Sequence, residues 1–127
     1  MRTAGRWFYF IFAIIFLLCS LVQFFLAGMA IFGGGQFWTD HKMVAHLFGL
    51  NIPIFMMVSA FMGNAKKKEY FSILGLLILI ITMYATANLG FRHSFFGALH
   101  PILGVLIIVL SMLNVYRSKI LLGKSEI

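Results

Sequence analysis

One cysteine, two prolines and three acidic residues among 127 leave little material for a disulfide scaffold, a cysteine-cluster metal centre or a soluble acid-base active site. Cys19 has no second cysteine to pair with. It lies in an apolar run, where it reads as a small packing residue. Asp40, Glu69 and Glu126 are the whole acidic complement, and all three fall outside the apolar segments, so no carboxylate is expected within a span. Polar stretches are scarce too. Charged residues make up 10% of the chain against 62% hydrophobic residues, and the mean hydropathy is +1.02, far from the usage of soluble domains.

What is present is apolar sequence in lengths that fit a bilayer. A hydrocarbon core of about 30 Å takes a helix of about 20 residues, and four such runs occur, at about 7–32, 41–62, 70–89 and 95–116. The expected fold is therefore all-α: an integral membrane four-helix bundle, a single domain over 1–127 with little chain left over. Arg2 and Arg6 ahead of the first run suggest a signal peptide, but the run is longer than a typical h-region, so a retained helix is expected. Thr39 and Asp40 favour an N-cap for the second span, and Pro53 is expected to bend it. Ser94 is the expected N-cap of the fourth.

Basic residues are unevenly placed. Arg2, Arg6, Lys66, Lys67, Lys68, Arg117, Lys119 and Lys124 share one side of the four-span layout, leaving Lys42 and Arg92 on the other. By the positive-inside rule both termini are then cytoplasmic, as expected for a multi-pass protein of the bacterial cytoplasmic (inner) membrane. The net charge of +7 fits anionic headgroups. No continuous basic groove is available to nucleic acid, and homo-oligomer formation is left open.

All four histidines, His41, His46, His93 and His100, fall near the starts of the second and fourth spans, on the side expected to face outward. Ionisable residues within a span are costly enough to mark functional sites. His46 follows Asp40 by six positions and His100 follows Ser94 by six, which places each about 9 Å beyond the expected helix start at 1.5 Å per residue. At 100° per residue His93, Gly97, His100 and Gly104 form one stripe. Glycines a turn to either side of His100 leave room for a flat macrocycle, and Gly49 and Pro53 share the face of His46. The same glycines are also what close helix packing in membranes uses. His41 and His93, beside Asp40 and Arg92, read as supporting groups or alternative ligands. Gln23 lies on a stripe with Ser20, Ala27 and Ala30, placed to donate to a propionate, a quinone or another helix.

The run Val22, Gln23, Phe24, Phe25, Leu26, Ala27, Gly28, with His46 and Gly49 and with Leu99, His100, Pro101, resembles an uncharacterised bacterial family of small four-helix membrane proteins known only as a domain of unknown function. The layout is also similar to one four-helix half of heme A synthase. That resemblance implies a heme held by His46 and His100. It departs from the catalytic half of that enzyme, which has a Glu one turn before its second-helix histidine where this chain has Lys42 and Met43. The outer-loop cysteine pair of some members is absent as well, so heme oxidation chemistry is not implied.

The expectation is a membrane b-type cytochrome with one heme b, bis-histidine through His46 and His100 near the extracytoplasmic face, for electron transport or heme handling. Arg92, with Lys42 opposite, is expected to pair with propionates. A quinone or a redox partner subunit would complete the circuit. Three alternatives stand beside it. A quinol-coupled oxidoreductase subunit would draw on Gln23, Asn51 and His93. A copper or other metal-handling protein would use His41, Met43 and His46. An accessory subunit would need no cofactor.

Overall fold

The computed structural model describes residues 1–123 as helices joined by short turns: α1 (Arg2–Phe32), α2 (Phe37–Phe48), α3 (Asn51–Met62), α4 (Lys67–Gly90) and α5 (Ser94–Gly123). Because α2 and α3 run on as one crossing, four helical segments among the described residues, 2–32, 37–62, 67–90 and 94–123, are long and apolar enough to span a membrane. The chain is a multi-pass, four-helix membrane protein. The start of α1, the end of α5 and the α3–α4 turn lie at one end of the bundle, the terminal end; the α1–α2 and α4–α5 turns form the other, the loop end. Arg2, Arg6, Lys66, Lys67, Lys68, Arg117 and Lys119 belong to the terminal end, and Lys124 lies outside the described residues.

Helix limits exceed the apolar limits because intrahelical hydrogen bonds continue through the interfacial layer. Thus α1 starts at Arg2, not 7, and α5 continues to Gly123, past 116. Neither expected cap holds its place. α2 begins at Phe37 behind Gln36, which puts Asp40 in its first turn, where a carboxylate still favours the partial positive charge of the helix start. Ser94 is itself the first residue of α5. His46 is consequently nine positions into its helix and His100 six, so equal depth cannot be argued from caps.

The bend in the second crossing is a break. Gly49 and Leu50 leave the helix between α2 and α3, and Pro53 has no N–H to return to the Gly49 carbonyl four residues back. Asn51 bridges the break, its Nδ2 donating to the Leu47 carbonyl at 2.7 Å. At the first turn Gly34 takes φ +136°, a conformation that side chains rarely adopt, and the chain reverses between Phe32 and Phe37.

The core lies toward the terminal end, where Tyr9, Ala13, Phe16, Met56, Ala60, Ile73 and Leu76 are buried. A Cβ on Gly5 would run into the backbone nitrogen of Gly63, which is why α1 and α3 can touch there. Arg6 ties the same end together, donating from Nε to the Gly63 carbonyl at 3.0 Å and from Nη1 to the Leu121 carbonyl at 3.3 Å. Between the helices Tyr9 donates to Asn114 Oδ1 at 2.8 Å, with both residues fully buried.

One expectation about charge is corrected. Glu69 belongs to the first turn of α4 and is only 3% exposed, so a carboxylate is buried within a membrane-spanning helix. One of its oxygens lies 3.9 Å from Lys68 Nζ. The apolar run starts at Tyr70, but the helix starts three residues earlier, and that extra turn carries Glu69 against its neighbours.

Candidate cofactor site

At the loop end the packing changes. α2 contacts α1 and touches α3, yet no Cα of α2 lies within 8 Å of one in α4 or α5, and none of its twelve residues is buried. The space left is a part-open cavity of about 860 Å³. Its size lies within the range of about 300–1,000 Å³ typical of small-molecule and cofactor sites.

The wall brings together most of the residues singled out from the sequence. Gln23 of α1, His41 and His46 of α2, Gly49 of the break, and Gly97, His100 and Gly104 of α5 all line it. Arg92 and His93 do not; they belong to the α4–α5 turn, where His93 makes an edge contact with Phe96 at 6.2 Å. Lys42 is the wall's one lysine or arginine. Met43 and Asn51 also stand outside the wall, so the structure does not assemble the copper set of His41, Met43 and His46 there. Among the described residues there is no group of three or more His, Cys, Asp or Glu side chains that would hold a metal ion.

Two adjacent residues of α4 hold the deeper histidines. His100 Nδ1 lies 3.2 Å from the Met83 carbonyl oxygen. A carbonyl only accepts, so this contact puts the ring proton on Nδ1 and leaves Nε2 with its lone pair, the arrangement that suits an imidazole ligand. His46 stacks on the Tyr84 ring, with centroids 5.7 Å apart and planes at 11°. The Tyr84 hydroxyl crosses to α2 and donates to the Ala45 carbonyl at 2.7 Å. It passes close over Gly49, where an added Cβ would stand 2.7 Å from that oxygen. Gly49 therefore makes room for tyrosine as well as lining the cavity.

The α5 glycines divide between two uses. Gly97 packs against Gly90 of α4, since a Cβ on Gly90 would lie 2.8 Å from Gly97 Cα, so close helix packing accounts for it. Gly104 faces the Phe24 ring, 2.9 Å from where its own Cβ would be, and both line the cavity.

On the α1 side Gln23 and His41 grip each other. Gln23 Nε2 donates to the His41 carbonyl at 3.1 Å, and His41 Nδ1 lies 3.1 Å from the Gln23 carbonyl. His41 is held further by an edge contact with Trp38 at 5.7 Å. The Gln23 Oε1 is buried without a hydrogen-bond partner among the described residues.

Sequence reasoning missed Tyr84, Met83 and Asn88, all on the wall. A signal existed for two of them: Tyr84 and Asn88 are polar and one helical turn apart at the loop end of an otherwise apolar span. Met83 acts through its backbone, which no side-chain pattern announces.

Residues 23–88 match the sequence profile of a family of unknown function (DUF6220), which is 66 of the 127 residues. The match takes in Gln23, His41, His46, Met83 and Tyr84 and ends before His100. No curated protein and no solved structure matches the chain.

Proposed function

The chain belongs to that family of unknown function, which supplies no activity, and we propose that it is a membrane b-type cytochrome whose cavity holds one heme between His46 and His100. The observation that carries this reading is the shared cavity of about 860 Å³ that both histidines line although they come from α2 and α5, two helices whose backbones stand apart.

The residues fit the group. An apolar wall suits a macrocycle, and Lys42 offers a cation for a propionate in place of Arg92. The Met83 carbonyl orients His100 as a backbone partner orients many metal-binding imidazoles. Stacking on Tyr84 restrains the His46 ring. A heme with two histidine ligands supplies one-electron transfer and leaves no open position at iron. The resemblance in layout to half of heme A synthase, read from the sequence alone, implies the same ligand pair, and electron transfer or heme handling are the roles that follow.

Orientation belongs to the proposal as well. Seven basic residues described at the terminal end support cytoplasmic termini by the positive-inside rule. The cavity then lies in the outer half of a bacterial cytoplasmic membrane, and a quinol pool or redox partner subunit completes the circuit.

The test is an oxidised and dithionite-reduced absorbance spectrum of the detergent-purified protein with iron analysis on the same sample. Sharp reduced bands with about one iron per chain are expected, lost in His46→Ala and in His100→Ala and kept in His41→Ala. A featureless spectrum from heme-replete cells, or bands that survive both deep substitutions, would overturn the reading.

A further inference from the structure

The reciprocal clasp between α1 and α2 fixes more than the helix pair. Because the His41 carbonyl can only accept, the Gln23 amide must turn its NH2 toward it, which commits Oε1 to the opposite direction. That oxygen is buried and has no partner among the described residues. The same logic applies to His41: its contact with the Gln23 carbonyl places the proton on Nδ1 and leaves Nε2 as a lone-pair acceptor. Two residues on one wall of the cavity thus offer acceptors and hold their own donors occupied. Leaving a buried acceptor without a donor is costly, so at these two atoms a ligand that brings hydroxyl donors gains what one bearing only acceptors cannot.

We infer that the Gln23–His41 wall is a binding site for a membrane hydroquinone and that it favours the reduced quinol over the oxidised quinone. A quinol carries two O–H donors on a flat apolar ring, whereas the quinone presents carbonyl oxygens, which would face acceptors with acceptors. Phe16, Phe24 and Met83 supply apolar surface for the ring in the same cavity. The gap beside α2 lies in a membrane-spanning region, where a lipid-soluble ligand can enter.

This inference deepens the heme reading by naming the electron donor, and only the electron step rests on that reading. In that step each quinol loses two electrons and its two hydroxyl protons and leaves as quinone. A heme held by His46 and His100 would take the electrons one at a time, with a one-electron acceptor protein reoxidising it between them, and His41 Nε2 would accept the protons and pass them to water. Binding itself needs no heme. A protonated heme propionate could present the same O–H donor, so the experiment separates the two sources.

Anaerobic binding of decylubiquinol and decylubiquinone is measured on the purified full-length protein and on its His100→Ala variant, which is expected to lack heme. The quinol is expected to bind at least about tenfold tighter than the quinone in both, which raises the two-electron midpoint potential of the bound pair by about 30 mV. Gln23→Leu should abolish the preference, and Gln23→Met gives the same readout should the first variant fail to fold. Equal affinity for quinol and quinone, a preference that survives loss of the Gln23 amide, or one confined to heme-loaded protein would each overturn the inference. Loss of the heme bands with the quinol preference intact would overturn only the cytochrome reading.

Discussion

At the terminal end the helices meet so closely that a Cβ on Gly5 would strike the backbone of Gly63; at the loop end α2 stands off both α4 and α5. The first region turns many of its polar groups on one another, although Glu69 Oε2 and Ser72 Oγ are buried there with no partner among the described residues. Tyr9 and Asn114 satisfy each other across helices, Ser111 donates to the Ile107 carbonyl at 2.6 Å, and Ser118 to the Val115 carbonyl at 2.9 Å. The second places histidines, a lysine and Gln23, whose buried Oε1 has no partner among the described residues, around a cavity. In a membrane, helices gain little from excluding lipid and associate through close packing and hydrogen bonds. Toward α5, α2 has neither on its inner side, and a cavity stands there in place of a helix interface.

Substitutions in the two regions are expected to differ in kind. Gly5→Ala should cost the most, about 3 kcal/mol, because the new methyl meets backbone that cannot turn away; thermal unfolding in detergent measures it, and an unchanged midpoint would mean the terminal end is looser than described. Tyr9→Phe follows, at about 1.5 kcal/mol by the same assay, since it strands the buried Asn114 Oδ1. Both should leave a bound cofactor's spectrum unaltered in the surviving folded protein.

Tyr84→Phe keeps the ring against His46 but removes the hydroxyl bond to Ala45, a loss of about 0.6 kcal/mol. Its sharper sign is faster hydrogen exchange in α2 with α1 and α5 unaffected; exchange that quickens everywhere would show that α2 is not an independent element. Smallest is Gly104→Ala, at about 0.5 kcal/mol. Its methyl meets the end of the Phe24 ring, a half-exposed side chain with cavity space to turn into. A cost equal to that of Gly5→Ala would erase the contrast between the two ends.

The four crossings, the basic end and the positions of His46 and His100 near the opposite end were legible because each depends on hydropathy and helical rise along one segment. The stripe of Gly97, His100 and Gly104 was legible too, though its meaning was not: Gly97 answers to Gly90 on α4, a pairing between helices that no single-helix pattern contains. Arg92 and His93 looked as well placed as Lys42 and His41 by sequence distance, yet the α4–α5 turn carries them off the wall while α2 keeps the latter two on it.

Apolar runs and the placement of charge by themselves determined a membrane-spanning helical protein, because hydrogen-bond closure in lipid permits a crossing chain little else than helix. Tertiary structure alone decided that α2 stands apart, that Tyr84 and the Met83 carbonyl hold the two histidines, that Gln23 Oε1 is buried with no partner among the described residues and that Glu69 is buried. Each of these is a relation between helix faces. Periodicity fixes which residues share a face, whereas which faces meet, and how closely, is settled by side-chain volume and hydrogen bonds across the whole bundle.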